Sequence, residues 1–184
     1  MSDMPAPEFS RIMDIRHLPP ATVEITPDAD ERRRLAARFS LSAIDNMVAT
    51  VDLIATGTTI NVTGRIRAAI IQACAISGED FPVKIDEPVD LRFIHPVAPA
   101  ASAALGEDEI ELSADECDEI EYHGLTFDLG EALAQTLALA IDPFAEGPDA
   151  DRARAEHNLA GEAGGGAFAA LAGFKPGERE NDDD

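Results

Sequence analysis

Through the middle of the chain, apolar and polar side chains alternate one for one. Ile60, Val62, Gly64, Ile66, Ala68 and Ile70 alternate with Asn61, Thr63, Arg65 and Arg67. A period of two predicts a strand with one buried and one wet face. Gly64 has no side chain to pack, which predicts a bulge or a close approach of another backbone. Upstream, Ala49, Val51 and Leu53 alternate with Val48, Thr50 and Asp52, so residues 46–56 predict the antiparallel partner. Thr56, Gly57 and Thr58 form the turn between the two. Downstream, Ser77, Gly78, Glu79 and Asp80 turn the chain again, and residues 81–85 and 89–93 extend the sheet. Pro82 and Pro88 lack an N–H, which predicts edge positions or a break between the two runs. Shorter strands are predicted over residues 9–18, 21–26 and 125–127, the first two separated by Pro19 and Pro20.

Two stretches switch to helical spacing. Around residues 28–39, Thr26 or Asp28 offers an N-cap and Pro27 suits the first turn. Asp28, Asp30 and Glu31 sit near the positive end, and Arg32, Arg33, Arg34 and Arg38 follow toward the negative end. Leu35, Ala36 and Phe39 supply the apolar stripe. In the second helix Asp128 is the cap, and Glu131, three residues on, completes a pair of the capping-box type. Leu129, Leu133, Leu137 and Ala140 make one apolar row flanked by Ala132 and Leu139, and Pro143 ends it. Residues 96–108, rich in Ala and Pro, predict a loop, and residues 109–118 alternate only weakly. After Phe144 the chain is polar and Gly-rich, apart from one apolar island in which Phe168, Leu171 and Phe174 recur at helical spacing. Such an island can dock in a groove of its own domain or of a partner. The predicted organisation is a frayed N-terminus over residues 1–8, one domain over 9–145, and a flexible acidic tail over 146–184 that carries the motif 167–175.

Charge changes the picture most. Lys and Arg number 14 against 36 Asp and Glu, a formal net charge of −22. The imbalance is uneven: residues 1–100 hold ten basic and fourteen acidic side chains, and residues 101–184 hold four and twenty-two. Nucleic-acid binders gain affinity when Lys and Arg displace phosphate counterions, so this balance disfavours bare RNA and favours a basic protein partner. If RNA is contacted, Arg32, Arg33, Arg34, Arg38, Arg65 and Arg67 are the surface the sequence offers. Solvated, dipole-matched charge is the plainer account of the helical arginines.

Candidate chemistry is sparse. Cys74, His95, Cys117 and His123 could make up a tetrahedral set, but none shares the short spacing of zinc ligands. Cys117 lies among Asp115, Glu116, Asp118 and Glu119, which would raise its thiol pKa, and Cys74 has no cationic neighbour in sequence. Cys74 reads instead as a small buried hydrophobe. Gly164 to Gly166 follow no strand and precede no Lys-Ser/Thr pair, so they make no phosphate cradle. No catalytic residue, cofactor or metal is assigned, and the pattern points to binding rather than catalysis. No apolar run approaches the roughly 18–20 residues of a membrane span. No leader pattern precedes Phe9. The expected setting is the cytoplasm with reduced thiols.

Three segments carry a resemblance. They are VTGRIRAAIIQAC from Val62 to Cys74 with Phe81 and IDEPVDLRF from Ile85 to Phe93, then FDLGEALAQTLALAIDP from Phe127 to Pro143, then FAALAGFK from Phe168 to Lys175. In this order the chain resembles the YceD family, bacterial proteins linked to accumulation of large-subunit ribosomal RNA, across about residues 9–175. The resemblance implies a non-enzymatic role in synthesis, processing or stability of that RNA, and it brings no catalytic residues. Many members carry a Cys-x-x-Cys hairpin where this chain has Cys74 and Ser77, and further cysteines where it has residues 144–149. If relatives hold zinc there, this hairpin must be held by packing alone. The fold expected is α+β, an antiparallel sheet with two packed helices and a flexible tail, with closure into a barrel left open. The alternatives are an enzyme whose pocket is illegible in sequence, or an adaptor for a metabolic enzyme, lipid or fatty-acid metabolism being the case the resemblance suggests.

Overall fold

The two alternating segments build a long hairpin at the centre of the molecule. The structure is a computed structural model and describes residues 7–96 and 119–157. In chain order the elements are β1 (Ile12–Asp14), β2 (Val23–Ile25), α1 (Ala29–Arg38), β3 (Ala43–Thr56), β4 (Thr59–Ala73), β5 (Asp80–Ile94), β6 (Glu119–Glu121), β7 (Thr126–Asp128), α2 (Leu129–Ala140) and α3 (Ala150–Glu156). Strands β2 to β6 form one sheet in sequence order, antiparallel except for the parallel β5–β6 pair, while β1 and β7 pair antiparallel in a separate ribbon. The fold is α+β. Among the described residues β2 and β6 are the two ends of the main sheet and do not meet, so the sheet is open and is no closed barrel.

The register puts the predicted apolar row inward. Met47, Ala49 and Val51 on β3, Ile60, Val62, Ile66 and Ile70 on β4, and Ile85, Val89 and Phe93 on β5 share one buried cluster. Leu35 of α1, Leu129, Leu133 and Leu137 of α2, and Phe9 close over that face. Burying a Leu, Ile or Phe side chain is worth about 1.5–3 kcal/mol, so this layer is the main source of stability. The opposite face is polar and carries Thr63, Arg65, Arg67, Lys84 and Asp86 in exposed positions.

Gly64 resolves as a close approach, not a bulge. It pairs with Val51 in unbroken register, and a Cβ there would lie 2.1 Å from the Thr50 carbonyl oxygen and 2.8 Å from Val51 Cα. The register slip in this hairpin falls instead between Ile44 and Asn46. The prolines do not break β5, which runs unbroken beside β4 with Pro82 opposite Ile71 and Pro88 opposite Arg65. An edge explains this. Among the described residues only Arg92 to Ile94 pair on that side, with β6, so both prolines turn their missing N–H to the side left open there.

Among the described residues three packed helices stand where two were expected. Helix α3 falls within the segment assigned to the tail, and Ala150 and Ala153 on it are buried. The chain before it is tied down as well: Ala75 N–H donates to the Ala145 carbonyl at 3.1 Å. Gly147 sits so tightly on the Phe81 ring that a Cβ would come within 2.9 Å of it. The residues in that packing are glycine and alanines, whose small side chains leave little periodic signal. Residues 1–6, 97–118 and 158–184, which include Cys117, the predicted 96–108 loop beyond Pro96, and Phe168, Leu171 and Phe174, lie outside the described residues.

Gly64→Ala should therefore cost about 1–3 kcal/mol, because neither Thr50 nor Val51 can yield backbone space. Urea unfolding should show the midpoint falling at unchanged slope. Gly57→Ala is the contrasting control: it sits at φ +65° with open space around it, and should lose only the roughly 1 kcal/mol of a left-handed non-glycine residue.

Candidate functional site

The arginines expected to form a contact surface divide between two faces. Arg65 and Arg67 point away from the core, as neighbours of the buried Ile66, whereas α1 turns Leu35 and Ala36 into it. No single surface presents all six. Their charge is also largely engaged. Arg65 donates to Asp86 at 2.7 Å and Arg67 to the same carboxylate at 3.4 Å. Arg33 pairs with Asp30 one turn back. Arg32 donates to the Pro27 carbonyl at 3.0 Å, and Arg34 to the Glu8 carbonyl at 3.1 Å. Arg32 and Arg33 flank a groove of about 340 Å³ between α1 and the start of β3, lined otherwise by small and apolar side chains such as Ala36, Leu41 and Ile44.

Arg38 is a structural clamp. It meets Glu131 of α2 in a two-pronged pair at 2.8 and 2.9 Å and also reaches Glu8 at 3.1 Å. The sequence places Glu131 in a reciprocal cap with Asp128, and only half of that cap forms. Asp128 accepts from the Glu131 N–H at 3.2 Å, but the Glu131 side chain turns to Arg38 and Gln135. The complete capping box is on α1, where Asp28 accepts from the Asp30 and Glu31 N–H groups and Glu31 accepts from the Asp28 N–H. Glu31 then also receives Arg11 through two bonds of 2.7 and 2.8 Å. That guanidinium holds the Glu31 carboxyl down at about 2.

Cys74 is buried, as its sequence context suggests. What the sequence did not reveal is the cradle around its sulfur. Sγ accepts from the Ile76 and Ser77 N–H groups at 3.4 and 3.3 Å, and the turn closes through Gly78 N–H to the Cys74 carbonyl at 2.9 Å. Bonding from the Ser77 side chain and from backbone N–H groups stabilises the thiolate and brings the thiol down to about 7. The hairpin is thus held by hydrogen bonds as well as by packing under Gly147. The signal available was the x-x-Ser-Gly turn after Cys74.

Other chemistry does not assemble. Gln72 is the one buried polar side chain among the described residues, and it donates to the Asp142 carbonyl at 3.0 Å. No carboxylate there is buried beside Cys74 or His95, the arrangement an enzyme reading needs. His95 lies edge-on to Tyr122 at 5.4 Å instead. Tyr122, the only tyrosine, donates to the Thr58 carbonyl at 2.6 Å and so pins the β3–β4 turn. Among the described residues no three His, Cys, Asp or Glu side chains gather as a metal site, and no helix is long and apolar enough to cross a membrane. No family model, curated protein or solved structure matches this chain.

Two pH responses follow. A Cys117→Ser protein followed by thiolate absorbance should titrate near pH 7, and adding Ser77→Ala should move the midpoint up toward the ordinary thiol value. Because the folded thiol lies below the unfolded one, Cys74 adds stability above pH 9 and loses it as pH falls through 7. Glu31 acts lower: its contribution is whole above about pH 4.5 and is lost as pH falls to about 2. Glu31→Gln should flatten the acid limb of thermal stability over that interval, measured by differential scanning fluorimetry.

Proposed function

We propose that this protein is a non-enzymatic factor supporting synthesis, processing or stability of large-subunit ribosomal RNA, and that it acts by binding a basic protein partner rather than bare RNA. The observation that carries the second half is the state of its cations. The described residues contain twelve Lys and Arg. Nine arginines, including Arg33, Arg38, Arg65 and Arg67, already face carboxylates. Arg32 and Arg34 rest on carbonyl oxygens. A phosphate backbone would have to displace those acceptors and then meet the remaining acidic surface, whereas Lys and Arg of a protein partner find free carboxylates.

The ribosomal half rests on the sequence resemblance. Two of its segments lie on contacting elements: β4 and β5 form the central hairpin, and α2 packs on both. A motif set that lies together in space is what one shared structural unit requires, and it supports reading the segments as a set.

Affinity purification of the tagged chain from its native cell, with and without nuclease, tests the reading. Recovery of a basic large-subunit assembly protein should resist nuclease. Recovery that disappears with nuclease would overturn it, as would tight, salt-sensitive binding to purified large-subunit RNA at about 150 mM salt.

A further inference from the structure

The most exposed large apolar side chain of the described residues is Leu139, 88% accessible near the end of α2. It lines a groove of about 320 Å³ together with Thr136, Ala140, Pro88 and Leu91. A second groove of about 210 Å³, with Val83, Ile141 and Ala145 among its walls, shares Ala140 and Glu87 with the first. The two adjoin there, along a channel between the C-terminal half of α2 and the edge of β5 that no other described strand covers. An added strand fits poorly there, since Pro82 and Pro88 remove two of the edge donors it would need. A short helix presenting apolar side chains fits better.

We propose that this channel is the docking site, in the same molecule, of the apolar segment 167–175, with Phe168, Leu171 and Phe174 as its anchors and Leu139 at the centre of the contact. Three observations select this occupant. The first is reach. The described chain ends at His157, just past α3, whose Arg152 touches Glu79, the residue before β5, at 3.4 Å. From Glu79 to Glu87 is eight residues of strand, about 27 Å, and the ten residues 158–167 extend to about 33 Å. The second is charge. Glu87 and Asp90 rim the groove, and between Glu162 and Glu178 the only charged side chain is Lys175. This is the one stretch of the acidic tail that those carboxylates do not repel. The third is size, because Ala169, Ala170, Ala172 and Gly173 fill the positions between the anchors and let a helix lie close to Ala140. This inference is independent of the ribosomal reading.

Hydrogen exchange of the full chain tests it. Among the described residues no strand lies beside the outward N–H groups of Lys84, Asp86 and Asp90, so they report cover. Phe168→Asp with Phe174→Asp should speed exchange across residues 83–91 and 136–145 by about tenfold, a docking free energy near 1.4 kcal/mol. Leu139→Asp, on a side chain too exposed to matter for folding, should in turn speed exchange across 167–175. Both effects should be independent of protein concentration. Unchanged exchange in the channel after the double substitution would overturn the proposal. So would cover that grows with concentration, the mark of a second copy, or cover that requires an added partner.

Discussion

The packing of the N-terminal segment on α2 depends on Ser10 and Arg11 crossing the first turn of that helix at backbone contact. A Cβ on Gly130 would lie 2.6 Å from the Arg11 nitrogen, so glycine is the residue that permits the crossing. Around it the polar groups are paired. Asp128 accepts from the Ser10 hydroxyl at 2.6 Å and the Arg11 N–H at 2.8 Å, and Leu129 N–H donates to the Arg11 carbonyl at 3.0 Å. Arg11 then reaches Glu31, and Glu131 reaches Arg38. Four residues in a row at the head of α2, Asp128 to Glu131, thereby fix the N-terminal segment and α1, and with them the lid over the open sheet. Removing one member leaves a half-buried partner unpaired, which costs more than the bond itself.

This junction also clarifies the acidic composition. Much of the excess negative charge near α1 and α2 caps helix ends or receives guanidinium groups, so it is structural. The carboxylates of the sheet edge are of another kind, since Glu87 and Asp90 border the channel beside α2. The protein thus has a cross-linked charged end and an acidic, partly apolar edge.

How much of this could be read from residue order differs by element. The β3–β4 hairpin was legible because its inward row obeys a strict period of two, and the capping acids Asp28 and Asp128 announce their helices locally. Helix α3 was not, because Gly147, Ala150 and Ala153 pack by being small. Leu139 looked like a flank of the buried row, yet it faces away from the core, while Ala140 and Ile141 beside it still pack on that core. The roles of the arginines were the least legible part, since a cluster of like charges in sequence says nothing of the carboxylates folded against each one.

By itself, then, the order of residues determined the central strands, their inward faces, two helices and the acidic balance, all of which depend on neighbours within a few positions. The tertiary structure alone decided that the sheet stays open and that Arg38 and Glu131, ninety-three positions apart, form one clamp. It also decided that a buried thiol is held as an acceptor by its own turn. Each depends on which distant groups share a small volume, and local patterns carry no information about that.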